Sequence, residues 1–371
     1  MQVKAFELER WQSVWENRVE LNISESGVLP LTTAELVGDS GALGTIMNVR
    51  QGYPQTNGSE ELRSRIAGLY AGADASKVLV TCGASEANFV TTWALLEPAD
   101  EVVFMTPNYM QIAGLAAAFG ATVKPLCLKE GRRWGIDPHD LKAAVTGKTR
   151  LIAICNPNNP TGAVLDVETR EAIAGAAAKA GAWILADEVY RGAEFDGGMT
   201  PSFWGSYERV ICTGGLSKAY GLPGLRLGWI VGPGEFVERL WGYHDYTSIA
   251  PTVLTDRLAC VALEPRRRNW ILGRTRKMLK QNYAVLSNWL DSHGDRFSHI
   301  PPKAGAIAWI GLREGESSAQ IARELLERKS LLVVPGEQFG MDSYLRIGFG
   351  GETEQLRQAL SRFDEWLAER G

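Results

Sequence analysis

The hydrophobic positions in the middle of the chain, from about residue 79 to residue 231, fall in short runs separated by longer amphipathic stretches. The runs are apolar throughout and do not alternate polar with apolar positions, which is typical of strands buried on both faces of a mostly parallel sheet. Strands that alternate with helical stretches indicate a β/α order. The runs that predict strands are 77–81, 101–105, 150–154, 182–186, 208–212 and 228–231.

The pattern changes after about residue 265. The sequence there predicts a long charged helix over 266–293, strands near 306–310 and 344–347, and a closing helix over 352–369. Helices and strands that no longer alternate regularly are typical of an α+β unit.

The chain of 371 residues is too long for one ordinary domain. We therefore predict an α/β protein whose large domain, over 46–265, has a mostly parallel sheet flanked by helices. A smaller α+β domain is predicted over 266–371. The segment 1–45 has no clear place in the parallel sheet, so we assign it to the smaller domain or to a lid.

Composition and charge exclude several classes of function. The net charge is −4 and no block rich in lysine and arginine occurs, which argues against nucleic acid as a partner. No apolar run is long enough to span a bilayer, and the N-terminus lacks the apolar core of a signal peptide, so we expect a cytoplasmic protein without a membrane partner. The four histidines and five cysteines show no metal-binding spacing, so no metal is predicted.

Lys218 is the first candidate for chemistry. It follows the apolar run 208–212 and two glycines, which places it beyond the carboxyl end of a predicted strand. Ligands bind at the carboxyl ends of strands in open α/β sheets, so a lysine there would be able to hold an aldehyde cofactor. The competing interpretation is a solvated surface lysine, which is the usual state of this residue type.

Asp187 follows the apolar run 182–186 and precedes Glu-Val-Tyr190. An acid at one strand end, near a lysine at another, fits a heterocyclic cofactor whose ring nitrogen must stay protonated. Standing alone, Asp187 would equally be a helix N-cap or a loop acid.

The loop 156–162, Asn-Pro-Asn-Asn-Pro-Thr-Gly, follows a third apolar run. Its prolines and glycine fix an irregular backbone on which the amide of Asn159 would point inward and donate to a phenolic oxygen. A plain turn is the simpler interpretation, but two Asn-Pro steps are more rigid than a plain turn requires.

The stretch 81–87, Thr-Cys-Gly-Ala-Ser-Glu-Ala, lies between a predicted strand and a helix. The backbone amides at its centre would face an anion, such as a phosphate, at the positive end of that helix. Ser85 alone would also serve as an ordinary N-cap. Arg226 would add a bidentate phosphate contact that a lysine cannot make.

Taken together, these motifs resemble the class I and II aminotransferases, which are pyridoxal 5′-phosphate (PLP) enzymes of fold type I. The resemblance rests on Asn-Asn-Pro-Thr-Gly at 158–162, Asp-Glu-Val-Tyr at 187–190 and Ser-Lys at 217–218 with Arg226, in this order and at these separations. It extends from about residue 21 to the C-terminus. It implies PLP as the cofactor and the two-domain architecture of fold type I.

The resemblance also assigns roles. Lys218 would form the Schiff base, Asp187 would pair with the pyridine nitrogen, and Tyr109 would stack on the cofactor ring; these three are the predicted catalytic residues. Asn159 and Tyr190 would contact the 3-hydroxyl. The residues that the resemblance places around the phosphate are Gly83, Ala84, Ser85, Ser217 and Arg226.

Further roles concern the substrate and a second subunit. Arg346 matches the family arginine that clamps the α-carboxylate of the substrate, with Asn159 beside it. Glu25 and Gly27, in Ser-Glu-Ser-Gly at 24–27, are also assigned to substrate binding. Tyr53 resembles a tyrosine that reaches the phosphate of a neighbouring subunit, which implies a homodimer with shared active sites.

One position departs from the family pattern. The family often has a serine three residues before the lysine, where it helps to bind phosphate, and Gly215 stands there in this chain. Either the hydroxyl of Thr213 or that of Ser217 replaces the missing serine hydroxyl, or the phosphate is held by fewer contacts than in the family.

The motifs predict the cofactor better than the reaction. Transfer of the amino group from an amino acid to a keto acid is the first expectation. The alternative is β- or γ-elimination, replacement or cyclisation. The N-terminal segment is loosely similar to cyclising enzymes of the capreomycidine synthase type, which act on hydroxylated arginine. Glu9, Glu16 or Glu25 would then pair with a guanidinium, unless they simply form the solvated face of an amphipathic helix.

A third alternative is a ligand-sensing domain without catalysis. Some domains of this fold are fused to DNA-binding modules, and no helix-turn-helix segment precedes the fold in this sequence. The simultaneous presence of the residues that chemistry would require also favours an enzyme. These residues are Lys218, Asp187, Asn159, Tyr190, Arg226 and Arg346.

Overall fold

The computed structural model describes residues 2–196 and 198–370. Its strands are β1 (Leu21–Asn22), β2 (Val78–Thr81), β3 (Glu101–Thr106), β4 (Thr122–Lys129), β5 (Gly135–Ile136), β6 (Thr149–Cys155), β7 (Trp183–Asp187), β8 (Val210–Gly215), β9 (Gly228–Val231), β10 (Ser298–His299), β11 (Ile307–Gly311), β12 (Leu331–Leu332), β13 (Val334–Pro335) and β14 (Tyr344–Gly348). Its α-helices are α1 (Glu7–Trp15), α2 (Thr33–Val37), α3 (Ser40–Met47), α4 (Glu60–Ala67), α5 (Gly83–Leu95), α6 (Gln111–Ala118), α7 (Pro138–Ala144), α8 (Val167–Ala180), α9 (Gly234–His244), α10 (Val253–Leu263), α11 (Pro265–Ser292), α12 (Ser318–Lys329) and α13 (Thr353–Arg370).

Eight strands form one large sheet in the order β2-β9-β8-β7-β6-β3-β4-β5. The five strands from β8 to β4 in this order are parallel. Strand β9 is antiparallel to both of its neighbours, and β5 is antiparallel to β4. The predicted α/β class with a mostly parallel sheet is confirmed.

Both faces of this sheet are covered, which explains why its strands are apolar throughout. Ile152 on β6 and Ile184 on β7 belong to one hydrophobic cluster, together with side chains of α8 and α10. Their neighbours Leu151 and Leu185 belong to a second cluster on the other face, with side chains of α5, α6 and α9. Successive side chains of a strand point to opposite faces, so each strand contributes apolar residues to both clusters.

The register of the sheet brings three strand ends together. Asp187, the last residue of β7, lies opposite Cys155 on β6 and Thr213 on β8. The loops that follow β6, β7 and β8 therefore begin side by side. These loops carry Asn159, Tyr190 and Lys218, so the fold itself gathers the groups that the sequence singled out.

The C-terminal part of the chain forms a four-stranded antiparallel sheet in the order β10-β11-β14-β13. The long helix α11 precedes this sheet. Pro265 stands in its first turn, and the side chain of Glu264 accepts a hydrogen bond from the backbone N–H of Arg267 at 2.8 Å. Within the described ranges, no helix has both the length and the apolar character that crossing a membrane requires.

The N-terminal segment packs against this C-terminal part. Strand β1 pairs in parallel with β12, and the indole nitrogen of Trp11 donates to the carbonyl of Val333 at 2.9 Å. Helices α2 and α3 of the same segment instead contact α10, which belongs to the predicted large domain. The domain limits 1–45, 46–265 and 266–371 stay a prediction.

Candidate active site

A cavity of about 310 Å³ lies at the carboxyl ends of β6, β7 and β8. It is closed on one side by α1 and on another by β14, so residues distant in sequence meet there. Most of the predicted site residues line it: Glu25, Ala84, Ser85, Tyr109, Asn159, Asp187, Tyr190, Ser217, Lys218, Arg226 and Arg346.

Three predicted residues do not line the cavity. Gly83 lies directly behind it, and Gly27 lies beside Lys218, since a Cβ on Gly27 would stand 3.8 Å from the Cδ of that lysine. Tyr53 is 87% exposed and lies away from the cavity of its own chain. Its predicted contact with a neighbouring subunit stays a prediction.

Lys218 is partly buried, and its Nζ donates a hydrogen bond to the Oγ of Ser26 at 2.8 Å. The surrounding protein removes water from the ammonium group, which lowers the pKa of Lys218, and the nearby carboxylate of Glu25 opposes this effect in part. A lower pKa increases the fraction of neutral amine, the form that acts as a nucleophile or a base.

Asp187 is buried and has two donors. The backbone N–H of Val189 donates to Oδ1 at 3.2 Å, and the side-chain amide of Asn88 donates to Oδ2 at 3.1 Å. Burial raises the pKa of Asp187, and the two hydrogen bonds oppose that rise. The carboxylate is therefore fixed in place, with a proton affinity set by two opposing effects.

The start of α5 and Arg226 form an anion-binding arrangement. Gly83 has φ +80°, and a Cβ there would lie 2.5 Å from Nη2 of Arg226, so glycine allows the guanidinium to approach the helix N-terminus closely. Ala84 and Ser85 line the cavity from the first turn of this helix. Cys82 is the N-cap residue, so Ser85 is not the ordinary N-cap that it would have been in the simpler interpretation. A phosphate fits the combined positive end and guanidinium.

The neighbours of Gly215 distinguish the surroundings of Thr213 from those of Ser217. The hydroxyl of Thr213 is fully buried and donates to Oδ1 of Asn88 at 2.9 Å, so it is engaged away from the cavity. Ser217 lines the cavity and has its Oγ 3.5 Å from Nη1 of Arg226. A Cβ on Gly215 would lie 3.0 Å from the carbonyl of Leu227, which leaves little room for a serine. Of the two side chains, Ser217 is the one that faces the cavity, and its role at the phosphate stays a prediction.

Arg346 is 1% exposed, with its guanidinium at the cavity wall. Nη1 donates to Oδ1 of Asn159 at 3.1 Å, and Nη2 donates to the carbonyl of Ser24 at 2.7 Å. Its Nε has no partner among the described residues. A buried donor without a partner costs free energy.

The two predicted tyrosines are both fixed. Tyr190 is buried beside Ile307 and Cys155. The hydroxyl of Tyr109 donates to Oε1 of Glu9 at 2.7 Å. Glu9 belongs to α1, so this hydrogen bond ties the N-terminal helix to the edge of the cavity.

Three carboxylates of the N-terminal segment line the cavity: Glu9, Glu16 and Glu25. Burial and the neighbouring charges of Glu25 and Glu9 raise the pKa of Glu16. Among the described residues, none of the three takes part in a salt bridge. All three carboxylates thus border the cavity, and their pairing with a guanidinium stays a prediction.

Sequence reasoning missed three polar residues of the cavity. Gln12 on α1 donates to both the carbonyl and the Oγ of Ser24, at 3.1 and 3.0 Å, and so fixes the segment that holds Arg346. Ser26 contacts Lys218, and Asn88 contacts Asp187. Ser26 is adjacent to the residues singled out, but Gln12 and Asn88 belong to no motif.

Comparison with known proteins identifies the family of the chain. The family model described as "Aminotransferase class I and II" matches residues 38–363. Capreomycidine synthase of Streptomyces vinaceus is 32% identical over 97% of this chain and 93% of its own length. Arginine–pyruvate transaminase of Pseudomonas aeruginosa is 31% identical over 85% of this chain and 82% of its own.

Two solved structures superpose on nearly the whole chain. A PLP-dependent aminotransferase from Streptococcus suis has a TM-score of 0.93 and 31% identity, with coverage of 100% of this chain and 99% of the other. The PLP-dependent cyclase OrfR has a TM-score of 0.88 and 30% identity over 100% and 99% of the two chains. The chain therefore belongs to the class I and II aminotransferase family, and its cofactor is pyridoxal 5′-phosphate.

Proposed function

We propose that the protein is an aminotransferase for an amino acid with a cationic, guanidinium-type side chain, and that a keto acid accepts the amino group. The observation that carries the proposal is the composition of one cavity. Lys218 and Arg346 provide an amine and a carboxylate clamp. The carboxylates of α1 and the following segment, which form no salt bridge among the described residues, provide a site for a distant positive charge.

The residues of the cavity fit PLP. The N-terminus of α5 with Arg226 would hold the phosphate, and Asp187 would hold the ring nitrogen. Tyr109 would lie against the ring. When bound, PLP supplies an electron sink for a carbanion formed at Cα of the substrate. Asp187 would maintain this property by keeping the ring nitrogen protonated.

Lys218 would attach the cofactor covalently and, once displaced by the substrate, would remove the proton from Cα. Its position supports both tasks, because the lowered pKa favours a neutral amine and Ser26 holds that amine at 2.8 Å. Arg346 would orient the substrate through its α-carboxylate. A bidentate contact fixes which bond at Cα faces the cofactor and the base.

The side-chain charge would be recognised by Glu16 and Glu25. Glu9 is the third carboxylate, but it already accepts the hydroxyl of Tyr109. A guanidinium would satisfy carboxylates that repel one another in its absence. The name of arginine–pyruvate transaminase, one of the relatives, supports a substrate of this class.

We expect Glu16→Gln and Glu25→Gln each to raise the KM for arginine by about tenfold, because each removes a charged hydrogen-bond acceptor. Citrulline is the matched control, since it has nearly the shape of arginine without the charge. Steady-state kinetics with both amino acids provide the measurement. If the KM values for arginine and for citrulline rose equally in both variants, recognition of the charge would be contradicted.

Cyclisation of a hydroxylated arginine is the second candidate. It is favoured by the coverage of capreomycidine synthase, whose alignment spans 97% of the chain and so includes most of the N-terminal segment. The family model, in contrast, begins at residue 38. The carboxylates at 9, 16 and 25 therefore lie before the residues that the family model matches. Both the cyclase OrfR and the aminotransferase from Streptococcus suis cover that segment, so the choice between the two reactions depends on the products.

Product analysis separates the two candidates. The holoenzyme is incubated with arginine or γ-hydroxyarginine, with and without pyruvate, and products are identified by mass spectrometry. Release of the keto acid of arginine together with alanine would support transamination. A product of γ-hydroxyarginine that has lost water, formed without pyruvate, would support cyclisation. Conversion of neither compound, combined with turnover of uncharged amino acids, would contradict the proposed substrate class.

We also propose that the active unit is a homodimer in which Tyr53 completes the phosphate site of the partner. Helix α3 supports an interface, because its sequence Ser-Gly-Ala-Leu-Gly-Thr-Ile-Met is largely apolar and none of its residues is buried. Tyr53 lies nearby in sequence and is 87% exposed. An apolar exposed helix is typical of a surface that another chain covers.

We expect Tyr53→Ala and Lys218→Ala to be weakly active or inactive alone, and a refolded mixture of the two to regain part of the activity. A mixed dimer has one active site that contains both native residues. Activity of the mixture, compared with each variant refolded alone, gives the result. A mixture no more active than the sum of its components would contradict a shared site, and light scattering would establish whether dimers formed.

A further inference from the structure

Asn88 is a buried amide in the interior of α5, five residues after the helix begins, and it is 2% exposed. Its Nδ2 donates to Oδ2 of Asp187 at 3.1 Å. An asparagine is a poor residue for a helix interior, and a buried amide costs free energy unless it is hydrogen-bonded. Packing alone therefore does not explain an asparagine at this position, and its hydrogen bonds do.

A second residue fixes how the amide of Asn88 is turned. The hydroxyl of Thr213, on the neighbouring strand β8, donates to Oδ1 of Asn88 at 2.9 Å. Because Oδ1 accepts from Thr213, the NH₂ group must face the other way, toward Asp187. Thr213 itself lies opposite Asp187 in the β7–β8 register. The three side chains thus form one chain of hydrogen bonds, Thr213 to Asn88 to Asp187.

The amide also connects this chain to the rest of the cavity. Nδ2 of Asn88 lies 3.5 Å from Oε1 of Gln111, and Nε2 of Gln111 donates to the carbonyl of Ser85 at 2.9 Å. Ser85 belongs to the proposed phosphate site. Gln111 begins α6, two residues after Tyr109. Asn88 therefore lies between the groups proposed to bind the phosphate, the ring face and the ring nitrogen.

We propose that Asn88 is a positioning residue for Asp187: its amide, oriented by Thr213, holds the carboxylate anionic and aims it at the ring nitrogen of PLP. This inference rests on the role proposed above for Asp187. The hydrogen bond from Val189 fixes Oδ1, and the hydrogen bond from Asn88 fixes Oδ2. With both oxygens restrained, the carboxylate cannot rotate away from the cavity.

The electrostatic effect of Asn88 has a definite sign. Burial raises the pKa of Asp187, and the hydrogen bond from Asn88 is the largest of the effects that lower it. Removal of that donor would raise the pKa of Asp187 further, toward a neutral acid. A neutral acid does not hold a proton on the ring nitrogen. An unprotonated ring withdraws fewer electrons, so the imine nitrogen between Lys218 and the cofactor would become more basic.

The test uses Asn88→Leu, which keeps a similar size but cannot donate. Thr91→Val is the matched control, because Thr91 lies one turn later on α5, is fully buried, and its hydroxyl has no partner among the described residues. The readouts are the dissociation constant of PLP and the pH at which the visible absorption of the lysine-bound cofactor titrates. Neither depends on turnover of a substrate.

We expect Asn88→Leu to weaken PLP binding by about tenfold or more, the effect of losing a hydrogen bond to a charged group. The pH at which the visible absorption of the lysine-bound cofactor titrates should be higher than in the wild type. Thr213→Val keeps the amide of Asn88 but removes the hydroxyl that orients it. This variant should change both quantities in the same direction as Asn88→Leu does, and by a smaller amount. Thr91→Val should leave both unchanged.

Asp187→Asn separates failure of this inference from failure of the role of Asp187. If Asp187→Asn lowers PLP affinity and shifts the titration while Asn88→Leu behaves as Thr91→Val does, the positioning role of Asn88 is wrong and the role of Asp187 stands. If Asp187→Asn itself matches the wild type, both are wrong. Should Asn88→Leu fail to fold by circular dichroism, the shift in Thr213→Val decides, and its absence would overturn the inference.

Discussion

Replacement of Lys218 by alanine is expected to reduce turnover by about four orders of magnitude, the upper range for loss of a positioned general base. The variant loses two functions at once, because the same amine would anchor the cofactor and accept the Cα proton. Within the described ranges, no other lysine lines the cavity to replace it. The purified variant should also lack the visible absorption of the lysine-bound cofactor.

The control for this prediction is Lys277→Ala. Lys277 is an exposed residue of α11 and does not line the cavity, so its loss should change neither absorption nor turnover. Comparable activity of Lys218→Ala and Lys277→Ala would exclude Lys218 as the attachment site. Thermal unfolding of both variants would show whether either substitution disturbs the fold.

The reaction of the apo-protein with PLP provides a pH test of the same residue. Only the neutral amine attacks the aldehyde, so the rate should rise with pH as Lys218 loses its proton. An ordinary lysine has a pKa of about 10.4. Because burial lowers the pKa of Lys218, the rate should reach its plateau at a lower pH than that. A rate that still increases above the ordinary value would contradict the lowered pKa.

The sequence predicted the central sheet well because each of its core strands is buried on both faces. Strands such as β6 and β7 are apolar at nearly every position, and few other elements of an α/β chain have this pattern. Strand β4 was missed. It is exposed at half of its positions, contains Pro125 and mixes lysines with apolar residues, which removes the signal on which the prediction relied.

Most of the candidate site was also predictable, since its residues follow strand ends or occupy short motifs. Asn159, Asp187 and Lys218 are placed together by the register of three adjacent strands. Such register follows from parallel pairing, so the sequence order of the motifs is enough to anticipate it. The roles themselves were supplied by the resemblance to a family and not by periodicity.

The contributions of α1 and α5 were harder to predict for a physical reason. Gln12 and Glu9 reach the cavity only because α1 packs on it through tertiary contacts, including Trp11 to Val333. Asn88 lies inside a helix, and its neighbours in sequence give no hint that it faces Asp187. Packing between residues distant in sequence determines which face of a helix contacts a site. A single sequence reveals that face only where the helix carries a recognisable motif.

Arg346→Lys is expected to reduce kcat/KM for an amino acid by about 10²- to 10³-fold, although the charge is preserved. A lysine cannot form the two parallel hydrogen bonds of the guanidinium, and the second of them, to a charged group, is worth about 1.5 to 3 kcal/mol, or about 10- to 10²-fold. The loss would be enlarged because Arg346 is 1% exposed, so a misplaced ammonium group there has little water to solvate it. Kinetics with arginine would measure the effect.

Agmatine, which is arginine without its carboxylate, is the discriminating probe. If Arg346 acts by clamping the α-carboxylate, binding of agmatine to the wild type and to Arg346→Lys should be nearly equal, whereas binding of arginine should differ strongly. Equal losses for both compounds would mean that the substitution damages the cavity as a whole, through Asn159 and the segment at Ser24 that Arg346 holds. Undiminished activity with arginine would refute the clamp.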